Sequence, residues 1–153
     1  MAEAALNVND LVPHSGEIVL IDVIDHVEEN ALQARTTVRD DGLFNSTADA
    51  VPAFMAVEYM AQAIAAWAGW RGSRSAEPVK PGLLLGARDF SADTPNLSVG
   101  TELAIEIERV LEMANGLGVF DCSVKGEGVA VTARLSVLTV DSLEELNARG
   151  LQQ

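Results

Sequence analysis

The sequence predicts an α+β chain in which an antiparallel sheet wraps one long central helix. Three observations carry this. Residues 52–70 are apolar at nearly every position, so a helix there has no face left for water and has to be buried by its own domain or by a partner. On either side lie stretches with strand character, separated by short turn signals. A sheet that covers such a helix, and is itself covered by it, has to curl around it.

Taken in order, residues 1–17 carry no regular pattern, and Pro13 and Gly16 interrupt them. Residues 18–27 are rich in β-branched side chains and read as a strand. Residues 28–30 turn, and residues 32–38 return as a second strand. Residues 40–50 form a polar loop. Pro52 suits a first helical turn, where its missing N–H leaves nothing unpaired, and the Ala and Met residues that follow favour helix. Gly69 and Gly72 weaken the far end, which places the helix end near Trp70 and a linker up to Pro81. Residues 83–90 read as strand. In residues 101–109, Leu103, Ile105 and Ile107 alternate with Glu102, Glu106 and Glu108, the pattern of a half-buried strand. Asn115-Gly116 signals a tight hairpin, residues 117–125 pair back, residues 126–128 turn again, and residues 129–140 form the last strand. There Val129, Val131, Ala133, Leu135 and Val137 share one face. Ser142 and Glu145 have capping-box spacing for a short terminal helix ending near Gly150. Residues 1–153 together read as one domain.

Composition excludes several functions. Of 153 residues, 48% are hydrophobic and 5% aromatic, so the core is mostly aliphatic. The net charge is -13, and the ten Lys and Arg residues form no dense run. A phosphate backbone would be repelled, which argues against nucleic-acid binding, and the scattered acidity serves solubility. Cys122 is the only cysteine, so no intrachain disulfide and no cysteine zinc site is expected; with Phe120 and Val124 as neighbours it reads as a buried strand thiol. The first residues lack a basic segment followed by an apolar one, and the longest apolar stretch is too short and interrupted to span a membrane. The expected location is the cytoplasm. There is no metal-ligand spacing, Gly-rich phosphate loop or nucleophile elbow, so no cofactor or metal is expected.

Few residues remain to carry chemistry. Glu58 and Gln62 are four apart and share a helix face. Burial of Glu58 would favour its protonated form and suit it to donating a proton; the alternative is a carboxylate at a subunit boundary, solvated or paired. The amides around Ala53 and Phe54 open the helix and are candidates for an oxyanion hole. His14 lies in the loop Val12-Pro13-His14-Ser15-Gly16, and His26 falls late in the first strand, where a solvent-facing or hydrogen-bonded place is expected. An acyl chain would need an apolar slot beside these groups, for which Met55, Val57, Phe54 and Phe44 are candidates.

Two segments resemble bacterial 3-hydroxyacyl-[acyl carrier protein] dehydratases. Leu11-Val12-Pro13-His14 followed by Ile18-Val19-Leu20-Ile21-Asp22 is similar to their Leu-Pro-His-Arg…Leu-Leu-Val-Asp opening. Val51-Pro52-Ala53 followed by Glu58-Tyr59-Met60-Ala61-Gln62 is similar to their Met-Pro-Gly…Glu-Ala-Met-Ala-Gln helix start, at equal spacing. Leu85-Gly86-Ala87-Arg88, Pro95, Val99-Gly100 and Gly118-Val119-Phe120 extend the similarity over roughly residues 10–140. Within that group the chain most resembles the dehydratase-like proteins of aryl polyene pigment synthesis. The resemblance implies a hotdog fold, a homodimer or higher oligomer with acyl tunnels between subunits, and a thioester substrate on acyl carrier protein or coenzyme A. It implies Glu58 as catalytic acid, Gln62 as support on its helix face, and Ala53 and Phe54 as the oxyanion site.

The chain departs from the family in one loop. Where members carry Gly-His-Phe-Pro-Gly, this sequence has Gly42-Leu43-Phe44-Asn45-Ser46, so the histidine is replaced by Leu43 or Phe44, depending on the gap; Ala53 also replaces a glycine. His14 is the available substitute as general base. Three functions follow: a dehydratase, a thioesterase of the same fold, which needs no histidine base, and a non-catalytic acyl-binding or partner subunit. Arg71, Arg74 and Lys80 are candidates for docking an acidic carrier protein, or else pair with the helix end.

Overall fold

The strand with the alternation read around Leu103 lies inside a six-stranded antiparallel sheet. The computed structural model describes residues 20–39, 49–74 and 82–139. In chain order these form β1 (Val23–Glu28), β2 (Ala31–Thr37), β3 (Ala50–Pro52), a 3-10 turn (Ala53–Met55), α1 (Ala56–Arg74), β4 (Gly82–Ala92), β5 (Asn96–Ser98), β6 (Glu102–Glu112), β7 (Leu117–Gly126) and β8 (Val129–Thr139). Six strands make one antiparallel sheet in the order β1-β2-β6-β7-β8-β4, and β3 pairs with β5 as a separate two-stranded ribbon.

Register follows from burial on one face. Leu32 faces Ile107, which faces Cys122, which faces Ala133; Ala34, Ile105, Val124 and Val131 make the next inner row. All eight are buried. Slipping any strand by one residue would send its apolar set to water and its charged set inward, so register is strongly specified. α1 packs across this inner face against β2, β4, β6, β7 and β8. Cys122 is buried in it, as expected. The β6–β7 hairpin turns at Gly116, whose φ is +95°; a Cβ there would also come within 2.6 Å of the Thr139 carbonyl oxygen. Asn115 helps by accepting the Leu117 N–H at 3.1 Å.

Four expectations need correction. The helix does not stop at Trp70 but continues to Arg74, through both glycines, because Gly69 and Trp70 are held in the core and packing outweighs local propensity. It is not buried all round: Phe54 and Glu58 are exposed and Val57, Ala61, Ala65 and Ala68 only half-buried, a single stripe at helical spacing. The first strand begins at Val23, and ahead of it the Leu20 N–H is taken by the Gln62 side chain on α1. The β3–β5 ribbon was not expected. The 40–48 loop with Phe44, the linker at 75–81 with Lys80, the terminal helix after Ser142 and the N-terminal loop with His14 lie outside the described residues. Among the described residues no helix is long and apolar enough to cross a membrane.

Candidate active site

The start of α1 is held by the small ribbon. Val51 pairs with Leu97, and the Ala53 N–H donates to the Pro95 carbonyl at 2.9 Å. That bond corrects one assignment: the Ala53 amide is taken and cannot serve an oxyanion. In the 3-10 turn the Ala53 and Phe54 N–H groups have no acceptor inside the helix, and with Ala53 bonded to Pro95 the Phe54 N–H is the remaining candidate. The Phe54 side chain is 65% exposed and lines no slot within one chain. Met55 is buried and Val57 half-buried, which fits a wall between core and surface.

One turn further on, Glu58 is exposed, so desolvation by its own chain is not what would suit it to proton transfer. Gln62 is buried on the same helix side, and its Oε1 accepts the Leu20 N–H at 2.7 Å. Sequence reasoning placed Gln62 beside Glu58 but had no signal for its partner, a backbone amide 42 residues away. The contact brings the chain that arrives from His14 onto the turn after Glu58. His26 is exposed and its Nε2 lies 2.8 Å from Glu28 Oε2, away from this region and as read from its strand position.

The two arginines considered for docking are engaged. Arg71 lies over the Trp67 ring at 5.1 Å and Arg74 over Trp70 at 4.7 Å, so both stabilise the helix end. A broad depression of about 600 Å³ on the outer sheet face, lined by Gln33, Glu106, Asp121 and Arg134 among others, contains none of the candidate site residues.

A family model for the ApeP-like proteins, described as ApeP dehydratase, matches residues 6–148. The chain belongs to that family. It is similar to a chain of the dehydratase heterocomplex ApeI:P from Xenorhabdus doucetiae, with 29% identity, a TM-score of 0.83, and coverage of 94% of this chain and 97% of that one. A hypothetical thioesterase from Streptococcus pneumoniae TIGR4, solved with coenzyme A, aligns at 14% identity and a TM-score of 0.58 over 78% of this chain and 85% of that one. The Escherichia coli PaaI protein aligns at 13% identity and 0.56 over 75% and 80%. The last two establish the hotdog fold and nothing about activity. No curated protein sequence matches the chain. The ApeP-like assignment makes the protein a dehydratase, a lyase.

Proposed function

We propose that this ApeP-like dehydratase removes water from 3-hydroxyacyl thioesters on acyl carrier protein, giving trans-2-enoyl thioesters during aryl polyene synthesis in the cytoplasm. The single observation that carries the reading is an accessible carboxylate, Glu58, one turn after the Phe54 amide at the helix start. The thioester oxygen would sit at the Phe54 amide, which favours the enolate. His14 takes the proton alpha to the carbonyl, and the carbon–carbon double bond forms as the β-hydroxyl leaves. Glu58 supplies the proton that turns that hydroxyl into water. Gln62 holds the neighbouring chain in place through Leu20.

The site reading includes a second subunit. β4 is a sheet edge along which Leu83, Leu84, Leu85 and Phe90 are all exposed, and the Phe54–Ala68 stripe of the helix is open too. A free edge with this much apolar surface is a liability in a lone chain. A copy of this chain on that edge would give the homodimer and bury the acyl slot near Met55, Val57 and Phe44. Light scattering at micromolar concentration should give at least a dimer, and a stable monomer would remove the proposal.

A second reading has its own support. The similar Xenorhabdus structure is a heterocomplex, and Leu43 or Phe44 stands where the family histidine is expected. In that case a different hotdog subunit provides the base. The test is mass spectrometry of the purified chain with 3-hydroxyacyl, enoyl and saturated acyl thioesters. Interconversion of the first two supports the dehydratase, release of free acid from the third indicates a thioesterase, and no turnover leaves the partner-subunit role.

A further inference from the structure

The three residues ahead of β1 are held more tightly than a strand entry requires. Leu20 and Ile21 are buried. The Leu20 N–H goes to Gln62 on α1, and the Leu20 carbonyl accepts the Thr36 hydroxyl in a close contact. The Asp22 N–H donates to the Arg35 carbonyl at 3.0 Å. The Asp22 carboxylate then gathers the end of β2: it accepts the Thr37 N–H at 2.9 Å, lies 3.2 Å from the Thr36 hydroxyl and meets the Arg39 guanidinium in a close contact. Thr36 is itself buried. One carboxylate therefore fixes the end of β2 that carries Thr36; the Thr36 hydroxyl donates to the Leu20 carbonyl, and the Leu20 N–H is hydrogen-bonded to the helix turn after Glu58.

We propose that Asp22 is a positioning residue for the active site, acting through Thr36 and Leu20 on the Gln62 turn of α1. The inference rests on the dehydratase reading given above. A displaced Leu20 releases its hydrogen bond to Gln62, one turn of α1 after Glu58. A misplacement of about 1 Å between reacting groups can cost on the order of 100-fold in rate. Binding of a thioester elsewhere in the slot needs no such alignment, so the effect belongs in kcat and not in KM.

The nearest comparison is Asp25, whose carboxylate holds Arg35 through two hydrogen bonds of 2.7 and 2.9 Å. It sits on the same strand region and ties β1 to β2 through the Arg35 side chain, while its carboxylate meets neither Thr36 nor Leu20. The experiment compares Asp22→Ala, Thr36→Val and Asp25→Ala in the full chain. It reads enoyl thioester hydration and peptide-level hydrogen exchange over residues 18–22. The expected result is a kcat loss of about 10- to 100-fold with KM within about three-fold for Asp22→Ala and Thr36→Val. Both should show faster exchange at Leu20 and Ile21, with neither effect in Asp25→Ala. Thr36→Val keeps the side-chain shape and serves if Asp22→Ala does not fold. A kcat within two-fold of wild type, or an equal loss in Asp25→Ala, overturns the proposal. If the wild-type chain has no turnover, the dehydratase reading fails separately. The exchange arm still decides the clamp: protection at Leu20 unchanged by Asp22→Ala overturns it, and lost protection supports it.

Discussion

The two ends of α1 contrast in how much of their surface the chain itself satisfies. At the N-terminal end Phe54 and Glu58 face outward. At the C-terminal end Trp67 meets Phe120 edge-on with ring centroids 5.3 Å apart, donates its Nε1–H to the Glu28 carbonyl at 3.1 Å and has Arg71 and Arg109 over its ring. One end is finished by the fold and the other is left for a ligand or partner. The difference teaches where to expect stability and where to expect chemistry on the same helix.

The sharpest break of that contrast is Trp67→Ala. It removes the aromatic pair, the hydrogen bond and two cation–π contacts from a site where the ring is buried. A loss of about 3–5 kcal/mol is expected, which in a chain of this size lowers Tm by roughly 10 °C or more. Nine residues of helix separate Trp67 from Glu58, a rise of about 13 Å. Activity per folded molecule should therefore survive, and thermal melts paired with assays well below Tm would show both.

Glu58→Gln tests the opposite end. Its side chain is exposed, so Tm should move by no more than a degree or two, while dehydration falls at least about 100-fold. His14→Ala should cost a similar factor, and the double variant little more than either single one, because the two act as a unit. A thioesterase would lose hydrolysis with Glu58→Gln and keep it with His14→Ala. Loss of absorbance of an enoyl thioester, with circular dichroism as control, distinguishes these outcomes.

The same contrast explains what could be read from the chain alone. The strands around Leu103 and Val131 were legible because one face is buried and the pattern has period two. The Asn115-Gly116 turn was legible because only a glycine meets its φ and its approach to Thr139. The helix end was misread because Gly69 and Gly72 signal locally, while the packing that carries α1 to Arg74 is tertiary. Burial of Glu58 was left open for a related reason: composition shows that a stripe is apolar, not that the chain's own sheet reaches it. The β3–β5 ribbon has three residues per strand and contains Pro52, so it has no period to detect. Its consequence, the Ala53 amide bound to Pro95, was equally invisible. Pairs such as Gln62 with Leu20 join a side chain to a distant backbone group, and no residue type marks the partner.

Cys122 belongs to the finished side of the molecule, and its thiol reports on that. Burial, reinforced by the neighbouring Asp121 charge, pushes it up to about 12 from 9.0. The neutral thiol is favoured in the fold, so its contribution to stability is complete below about pH 9 and is lost as pH rises toward 12. Alkylation by iodoacetamide at pH 8 should be absent in the native chain and complete in denaturant. Modification of the native protein at a rate near that of a free thiol would show that the inner sheet face opens readily.

The smallest expected effect separates the two arginines on Trp67. Arg109 is 5.0 Å from the ring centroid, and its side chain is only 13% exposed. It donates to Asn30 Oδ1 at 2.8 Å and to Glu112 Oε1 at 2.6 Å, and so ties the β1–β2 turn to the end of β6. Arg71 is as near the ring, but its carboxylate partners Glu29 and Glu112 lie 3.6 and 3.9 Å away, beyond good hydrogen-bond length. Methionine at either position keeps an apolar stem against the indole and removes the charge. Arg109→Met should cost about 1–2 kcal/mol, since it removes two hydrogen bonds made by a side chain that is itself largely covered. Arg71→Met should cost less than about 1 kcal/mol, because a half-exposed cation with long ion pairs is screened by water and salt. Urea titrations at low and high salt would resolve them. The Arg71 difference should shrink as salt rises and the Arg109 difference should largely persist; equal costs at all salt concentrations would mean that the ring contact alone, common to both, determines their contribution.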